Sequence, residues 1–221
     1  LFLLRMESLK RVVITGGTGG LGAAICGRFR ESGWDVKALG SKDLDLTDRG
    51  AVGAYFSENP CDLLVCAAGI IRDQPLSRLG EENWDEVLRV NYQAAANCAM
   101  AAVPLMAQRG KGHVVFVSSY AAIRPAVGQA AYATAKAALL GLTKQLASDW
   151  GGQGIRVNAV LPGFLATPMT AAVSEKHKVV VREQHFLGEF NTPEAAAGFI
   201  LFLEEAMPFT SGQIFQLDSR P

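Results

Sequence analysis

The sequence predicts an α/β fold, a single Rossmann-like, doubly wound parallel sheet of about seven strands with helices on both faces. Three observations lead there. Short β-rich runs alternate with segments of helical pattern along the chain. Those runs are nearly continuous in apolar residues, as strands covered on both faces are. A glycine-rich turn, Thr15-Gly16-Gly17-Thr18-Gly19-Gly20-Leu21-Gly22, follows the first run and opens the first helical pattern.

The elements follow in order. RVVIT at 11–15 is the first strand, and LGAAICGRFRE carries the helix expected over 20–31. DVKAL at 35–39 is the second strand. After it, GSKDLDLTD leaves no room for a helix and holds a short strand at 44–46. A helix over 48–58 follows, with Asp45, Thr47 and Asp48 as competing turn or cap residues. Strands at 63–67, 113–118, 155–160 and 213–217 alternate with helices over 82–109, 131–150, 168–180 and 193–204. Residues 10–221 are read as one catalytic domain and 1–9 as an N-terminal extension; Met6 suits a natural start, which makes residues 1–5 upstream or non-native sequence.

Composition narrows the function classes. The 221 residues are 49% hydrophobic, enough for one sizeable core. The 21 basic and 21 acidic residues cancel and form no block of like charge, so neither nucleic acid nor a membrane is an expected partner; a small molecule is. Cys26, Cys61, Cys66 and Cys98 lack CxxC spacing and read as reduced, buried thiols in a cytoplasmic protein. His113, His177 and His185 are too scattered for a metal site, and none is expected. Trp34, Trp84 and Trp150 read as packing residues.

The chemistry is carried by a few side chains. In AAYATAKAALLGLTKQLASDW, Tyr132 and Lys136 are four apart and share a helical face. A neighbouring ammonium favours phenolate, so the Tyr132 pKa is expected to fall toward the working range, where a phenol can protonate a carbonyl oxygen as it gains charge. Ser119, following a strand, offers that oxygen a second hydrogen bond. The glycines fit two registers, Gly17/Gly19/Gly22 and Gly16/Gly20/Gly22; either brings backbone N–H groups at a helix N-terminus close to a pyrophosphate.

From about Lys10 to Asp218 the chain resembles the short-chain dehydrogenase/reductase family, through TGGTGGLG, VNYQAA, VSS, YATAK and IRVNAVLPGFLATPMT in that order. The resemblance implies Tyr132 as general acid/base, Ser119 as the carbonyl-orienting hydroxyl, Lys136 as cation and ribose ligand, and Asn91 as holder of a relay water. It implies cofactor contacts from Gly16, Thr18, Gly19, Gly20, Leu21 and Gly22, and from Ala67, Ala68 and Gly69. Pro162, Gly163, Leu165 and Thr167 wrap the nicotinamide, and Asp45 with Leu46 meets the adenine. MTAAVSEKHKVVVREQHFLGEF is expected to cover the substrate side.

Three departures from the family stand out. Its usual Asn-Asn-Ala-Gly is here Cys66-Ala67-Ala68-Gly69, the connection after the second strand is short, and its Asp-Gly-Gly ending is here Asp218-Ser219-Arg220. At the end of the second strand Gly40, Ser41 and Lys42 stand where an acidic residue would hold the ribose of NAD, so NADP(H) is favoured and NAD(H) is the alternative. Asp43 and Asp45 are near enough to offer a carboxylate instead.

The expected function is hydride transfer between nicotinamide and a carbonyl or secondary alcohol, most like a 3-oxoacyl-[acyl-carrier-protein] reductase, with a sugar, polyol, steroid or small ketone as alternative substrate. A non-catalytic nucleotide sensor or scaffold is the alternative of another class. For a carrier-bound substrate, Arg124 and Arg182 are candidates to meet the acidic carrier, while Arg124 and Gln129 otherwise read as loop surface, with substrate contact as the alternative. Alanine-rich faces at Ala94–Ala102 and Ala131–Ala138 suggest close helix approach, and the resemblance implies a homotetramer, with a dimer next.

Overall fold

The computed structural model describes residues 9–221; the expected extension therefore lies almost wholly outside the described residues. Six parallel strands form one sheet in the order β2-β1-β3-β4-β5-β6. They are β1 (Arg11–Thr15), β2 (Asp35–Leu39), β3 (Leu63–Cys66), β4 (Gly112–Val117), β5 (Ile155–Leu161) and β6 (Ile214–Gln216). Their side chains point alternately to two faces and are buried on both: Val13, Leu64, Val114 and Val157 enter one core, Val12, Ile14, Val65 and Val115 the other.

The first core is closed by α2 (Arg49–Glu58), α4 (Ala94–Gln108) and α5 (Ala130–Trp150), which contribute the buried Phe56, Met106 and Leu139. Opposite, α1 (Gly20–Glu31) and α7 (Pro193–Ala206) pack on each other and on the sheet through Ile25, Phe29 and Ile200. Trp34 adds an edge-on contact with Phe29 at 5.2 Å between ring centroids, and its indole N–H donates to Glu205. Ala94, Ala95, Ala96, Ala99 and Ala102 are all buried within the chain itself, so much of that small-residue face already packs intramolecularly.

Three expectations need correction. The strand expected at 44–46 is absent, which makes six strands rather than about seven. A further parallel neighbour needs a crossover of about a dozen residues or more, and the stretch between Leu39 and Leu44 is far shorter. Turn bonds occupy it instead: Gly40 N donates to Asp43 Oδ2 at 2.7 Å, and Thr47 N to Asp45 Oδ1 at 2.9 Å. Asp48 is the residue that caps α2, accepting from Gly50 N and Ala51 N.

The helix expected over 82–109 is divided into α3 (Glu81–Leu88), a π-helical turn at Arg89–Gln93, and α4. Asn91 sits in that turn with its amide turned onto neighbouring backbone. The helix expected over 168–180 is likewise shorter and later: a 3₁₀ turn at Pro168–Thr170 precedes α6 (Glu175–Glu183), which starts where the Ser174 hydroxyl accepts from His177 N.

Candidate active site

Strand register sets the position of the site. Thr15 pairs with Cys66, Cys66 with Phe116 and Phe116 with Ala159, so the chain leaves β1, β3, β4 and β5 along one edge of the sheet. Over that edge, where β2 and β3 flank β1 on opposite sides, lies a cleft of about 1340 Å³. The residues that the sequence assigned to the site line this cleft, except Gly17, Lys42, Asp43, Asn91 and Arg182.

The glycine turn forms one end of it. Gly16 has φ +67°, and a Cβ there would lie 2.8 Å from the backbone of Ala68. A Cβ on Gly20 would lie 2.7 Å from the Thr167 side chain, and one on Gly22 2.0 Å from the Gly16 carbonyl oxygen. At Gly19 the nearest contact would be 3.3 Å, so the tight approaches favour the register Gly16/Gly20/Gly22, although a Cβ on Gly17 would also lie 2.8 Å from Ala38 Cβ. Gly19 caps α1 without a side chain, which leaves the first N–H groups of this 12-residue helix facing the cleft. A cradle with no Cβ, at an uncapped helix start, fits the pyrophosphate of a dinucleotide.

Beyond the glycines, Ser41 and Asp45 line the cleft, but Lys42 is exposed on a loop bent by the Asp43–Gly40 bond. Asp45 accepts from the Thr47 hydroxyl at 2.7 Å as well as from its N–H, and these bonds lower the Asp45 carboxyl pKa. In the family's Asn-Asn position, Cys66 turns its thiol toward Ala95 O at 3.9 Å, and Ala68 N donates to Thr15 Oγ1 at 3.3 Å. The Gly16 backbone lies directly on the backbone of Ala67 and Ala68, an approach that depends on the missing Cβ at Gly16.

Ser119, Tyr132 and Lys136 meet on the opposite wall. Tyr132 and Lys136 lie one turn apart near the start of α5, and Ser119 caps the 3₁₀ turn after β4. Ser119 Oγ accepts from Ala121 N at 3.1 Å, so its own proton is free to donate into the cleft. Lys136 is buried, and its Nζ donates to Val117 O at 2.9 Å, leaving two donors. Burial pulls the Lys136 pKa down to about 8.

The expected fall in the Tyr132 pKa does not occur in this arrangement. Burial pushes the phenol up to about 12; the Ser119 hydroxyl opposes that rise and the Asp73 carboxylate adds to it. Lys136 Nζ is bonded to Val117 and stands 5.8 Å from the centre of the Tyr132 ring, so desolvation outweighs the ammonium.

Asn91 stands behind the cleft wall, fully buried. Its Nδ2 donates to Ile70 O at 2.9 Å and Val87 O at 3.0 Å, while its Oδ1 accepts from Ile70 N at 3.3 Å. A Cβ on Gly69 would lie 2.6 Å from Asn91 Oδ1 and 3.5 Å from Lys136 Nζ, so that glycine keeps the two polar groups close.

On the substrate side, residues for which a loop surface was the favoured reading lie in the cleft. Arg124 and Gln129 line the cleft, and Gln129 Nε2 donates to Asp73 Oδ2 at 3.0 Å. Burial raises the pKa of Asp73, also a lining residue. Met169, His177 and Val181, from the segment expected to cover this side, line it as well. Tyr120, Arg220 and Pro221 complete the wall. The signal available for Arg220 was the departure from the family's glycine ending; nothing in the local pattern marked Tyr120 or Asp73.

A family model described as enoyl-(acyl carrier protein) reductase matches residues 42–219. The 3-oxoacyl-[acyl-carrier-protein] reductase FabG of Thermotoga maritima is 35% identical over 242 residues, covering 97% of this chain and 98% of its own. FabG of Aquifex aeolicus is 34% identical over 213 residues, 94% of this chain and 85% of its own. A solved oxidoreductase of the short chain dehydrogenase/reductase family from Burkholderia thailandensis matches with a TM-score of 0.89 at 28% identity, over 96% of this chain and 92% of that one. A structure from Beutenbergia cavernae, described as an NAD(P) dependent gluconate 5-dehydrogenase with bound NADP at low occupancy, gives a TM-score of 0.88 at 28% identity and covers 96% of both chains.

The depressed Lys136 pKa has a consequence for stability. Between its folded value of about 8 and its ordinary value of 10.5, the unfolded chain binds the proton more tightly, so this group makes stability rise with pH in that window. Urea unfolding of wild type and Lys136→Met is expected to show the difference moving in favour of wild type by about 2 kcal/mol from pH 8 to roughly pH 9.5. Parallel pH dependence of the two proteins contradicts the buried ammonium.

Proposed function

The chain belongs to the short-chain dehydrogenase/reductase family of oxidoreductases, and from that premise we propose that it moves hydride between a nicotinamide dinucleotide and a carbonyl or secondary alcohol. The leading substrate is a 3-oxoacyl group on an acyl carrier protein, NADP(H) is the preferred cofactor, and the working compartment is the cytoplasm. One observation carries the reading: Ser119, Tyr132 and Lys136 converge in the same cleft as the glycine cradle.

The nicotinamide, when bound, supplies or accepts the hydride. The protein residues handle charge and protons. Ser119 and Tyr132 donate hydrogen bonds to the carbonyl oxygen, and Tyr132 passes its proton to that oxygen as negative charge develops. A phenol held at about 12 is fully protonated at neutral pH and ready to donate. The phenolate regains its proton from the side of Lys136, whose pKa of about 8 lies near the working pH. The two Lys136 donors not engaged by Val117 suit the hydroxyls of the cofactor ribose and a relay water. Both amide protons of Asn91 are engaged, so only an oxygen of Asn91 can hold that water.

Preference for NADP(H) is supported by Gly40 and Ser41, which leave the end of β2 without a carboxylate in the cleft lining, and by an exposed Lys42 able to swing toward a 2′-phosphate. The Asp43 carboxylate, bonded to Gly40 N, is the feature that favours NAD(H). Exposed Phe202, Phe209 and Ile214 beside the edge strand β6 support the homotetramer.

Tyr132→Phe is expected to lower turnover of a carbonyl panel by about 10²–10⁴-fold and to leave dinucleotide affinity nearly unchanged, whereas Lys136→Ala lowers both. Steady-state rates with fluorescence titration of the cofactor check this; cofactor binding without wild-type turnover on any carbonyl would favour the sensor reading instead. Lys42→Ala is expected to weaken NADPH roughly tenfold while sparing NADH. Equal effects on the two cofactors remove Lys42 from the phosphate site. Sedimentation equilibrium is expected to give the mass of four chains, and a persistent monomer overturns the assembly.

A further inference from the structure

The chain after β6 folds back over the catalytic cleft. Phe186 N donates to Ser219 O at 3.0 Å and Leu187 N to Ser219 Oγ at 3.2 Å, tying this segment to the loop after α6. Gly163, at φ +89°, makes room for Asp218: a Cβ on it would lie 2.6 Å from Asp218 Cβ. Tyr120, the residue after Ser119, donates its phenol proton to Pro221 O at 3.0 Å.

This arrangement fixes Arg220. Its Nε donates to Asp218 Oδ2 at 2.6 Å, and its guanidinium carbon lies 3.7 Å from the centre of the Tyr120 ring. Asp218 is held in turn by Gln216 Nε2 at 2.9 Å, and its Oδ2 faces His185 Nε2 at 3.4 Å. The terminal amines of Arg220 make no hydrogen bond among the described residues, and His185 Nε2 is the one described side-chain polar atom that is both buried and unpartnered. Those amines are therefore not sealed from the cleft, although the Arg220 side chain as a whole is only 9% exposed, and Arg220 lines the same cleft as Ser119 and Tyr132. Arg124, like Lys136, adds a cationic side chain to the lining, while Asp73 is engaged by Gln129.

We propose that Arg220 is a specificity-determining residue that binds an anionic oxygen group of the substrate within the cleft that holds the reacting carbonyl. A planar guanidinium stacked on a ring and pinned at Nε presents its two terminal amines as a preorganised fork for carboxylate or phosphate. Two sources carry that chemistry, the carboxylate of a small oxo acid, next to its carbonyl, and the phosphate at the far end of a pantetheine arm. This rests on the oxidoreductase reading and adds a requirement on the substrate.

The test holds the carbonyl constant and varies the charge. The 3-oxobutyryl group is offered as the neutral N-acetylcysteamine thioester, as acetoacetate, and as the 4′-phosphopantetheine thioester. Wild type is expected to favour at least one anionic form, and Arg220→Gln to lower kcat/KM for that form by roughly tenfold or more, chiefly through KM, while sparing the neutral thioester. Loss on acetoacetate alone identifies a carboxylate site, and loss on the phosphopantetheine thioester alone a phosphate site. Arg220→Lys, which keeps the charge without the fork, is expected to recover part of the preference. Equal losses on charged and neutral substrates leave Arg220 a purely structural pin and overturn the proposal, as does a wild type indifferent to charge. Calorimetric binding of malonate and of 4′-phosphopantetheine to wild type and Arg220→Gln poses the same question without turnover: weaker binding of one of them in the variant supports the site, and unchanged or absent binding of both overturns it. Failure to turn over any carbonyl counts against the oxidoreductase reading alone.

Discussion

The molecule depends on one backbone contact made without side chains. Gly16, leaving β1 with positive φ, lies against Ala67 and Ala68 leaving β3, and Gly22 of α1 lies directly on the Gly16 carbonyl. Three separate segments thus touch main chain to main chain where the sheet's connections diverge. That contact sets how closely α1 approaches the sheet and directs its uncapped N–H groups into the cleft. The rest of the site is then a matter of strand register, which delivers Ser119 and Pro162 to the same edge. Substitution of Asn-Asn by Cys66-Ala67 preserves the contact because it needs small volume and little else.

Across the cleft, electrostatics runs by desolvation more than by pairing. Lys136 and Tyr132 are neighbours, yet burial moves the ammonium down to about 8 and the phenol up to about 12. Each is pushed toward its neutral form. A neutral phenol is a competent hydrogen-bond donor, and an ammonium near its titration point exchanges protons readily, so the pair suits proton passage better than a fixed charge pair would. Asn91 and Gly69 maintain the space between these groups and the backbone of Ile70.

Much of the fold was legible because its strands are unbroken apolar runs and its helices start at recognisable turns. RVVIT and IRVNAV appear as β1 and β5 nearly to the residue. The missing strand at 44–46 follows from chain length: apolar leucines between aspartates look like a strand until the crossover that a parallel neighbour requires is measured. The π-turn at Asn91 was not legible, since it goes with a bond to Ile70, twenty-one residues away. The site was legible as a set of residues but not as a set of environments. The fall expected for Tyr132 came from spacing along a helix, whereas its rise depends on what encloses it. Arg220 was visible only as a departure from the family's glycine ending; its place in the cleft depends on where the tail folds, which no local pattern encodes.

The shortened connection after β2 has one more consequence. With no seventh strand, β2 is a sheet edge, paired only with β1 among the described residues, and its outer row of N–H and C=O groups is a template on which another extended chain can add. Its protection is its own brevity and charge: five residues long, it carries Asp35 and Lys37, which pair at 3.4 Å, with Arg11 bonded to Asp35 at 2.6 Å. Intruding strands would have to desolvate that charged cluster, so this edge beside the cleft is guarded against aggregation.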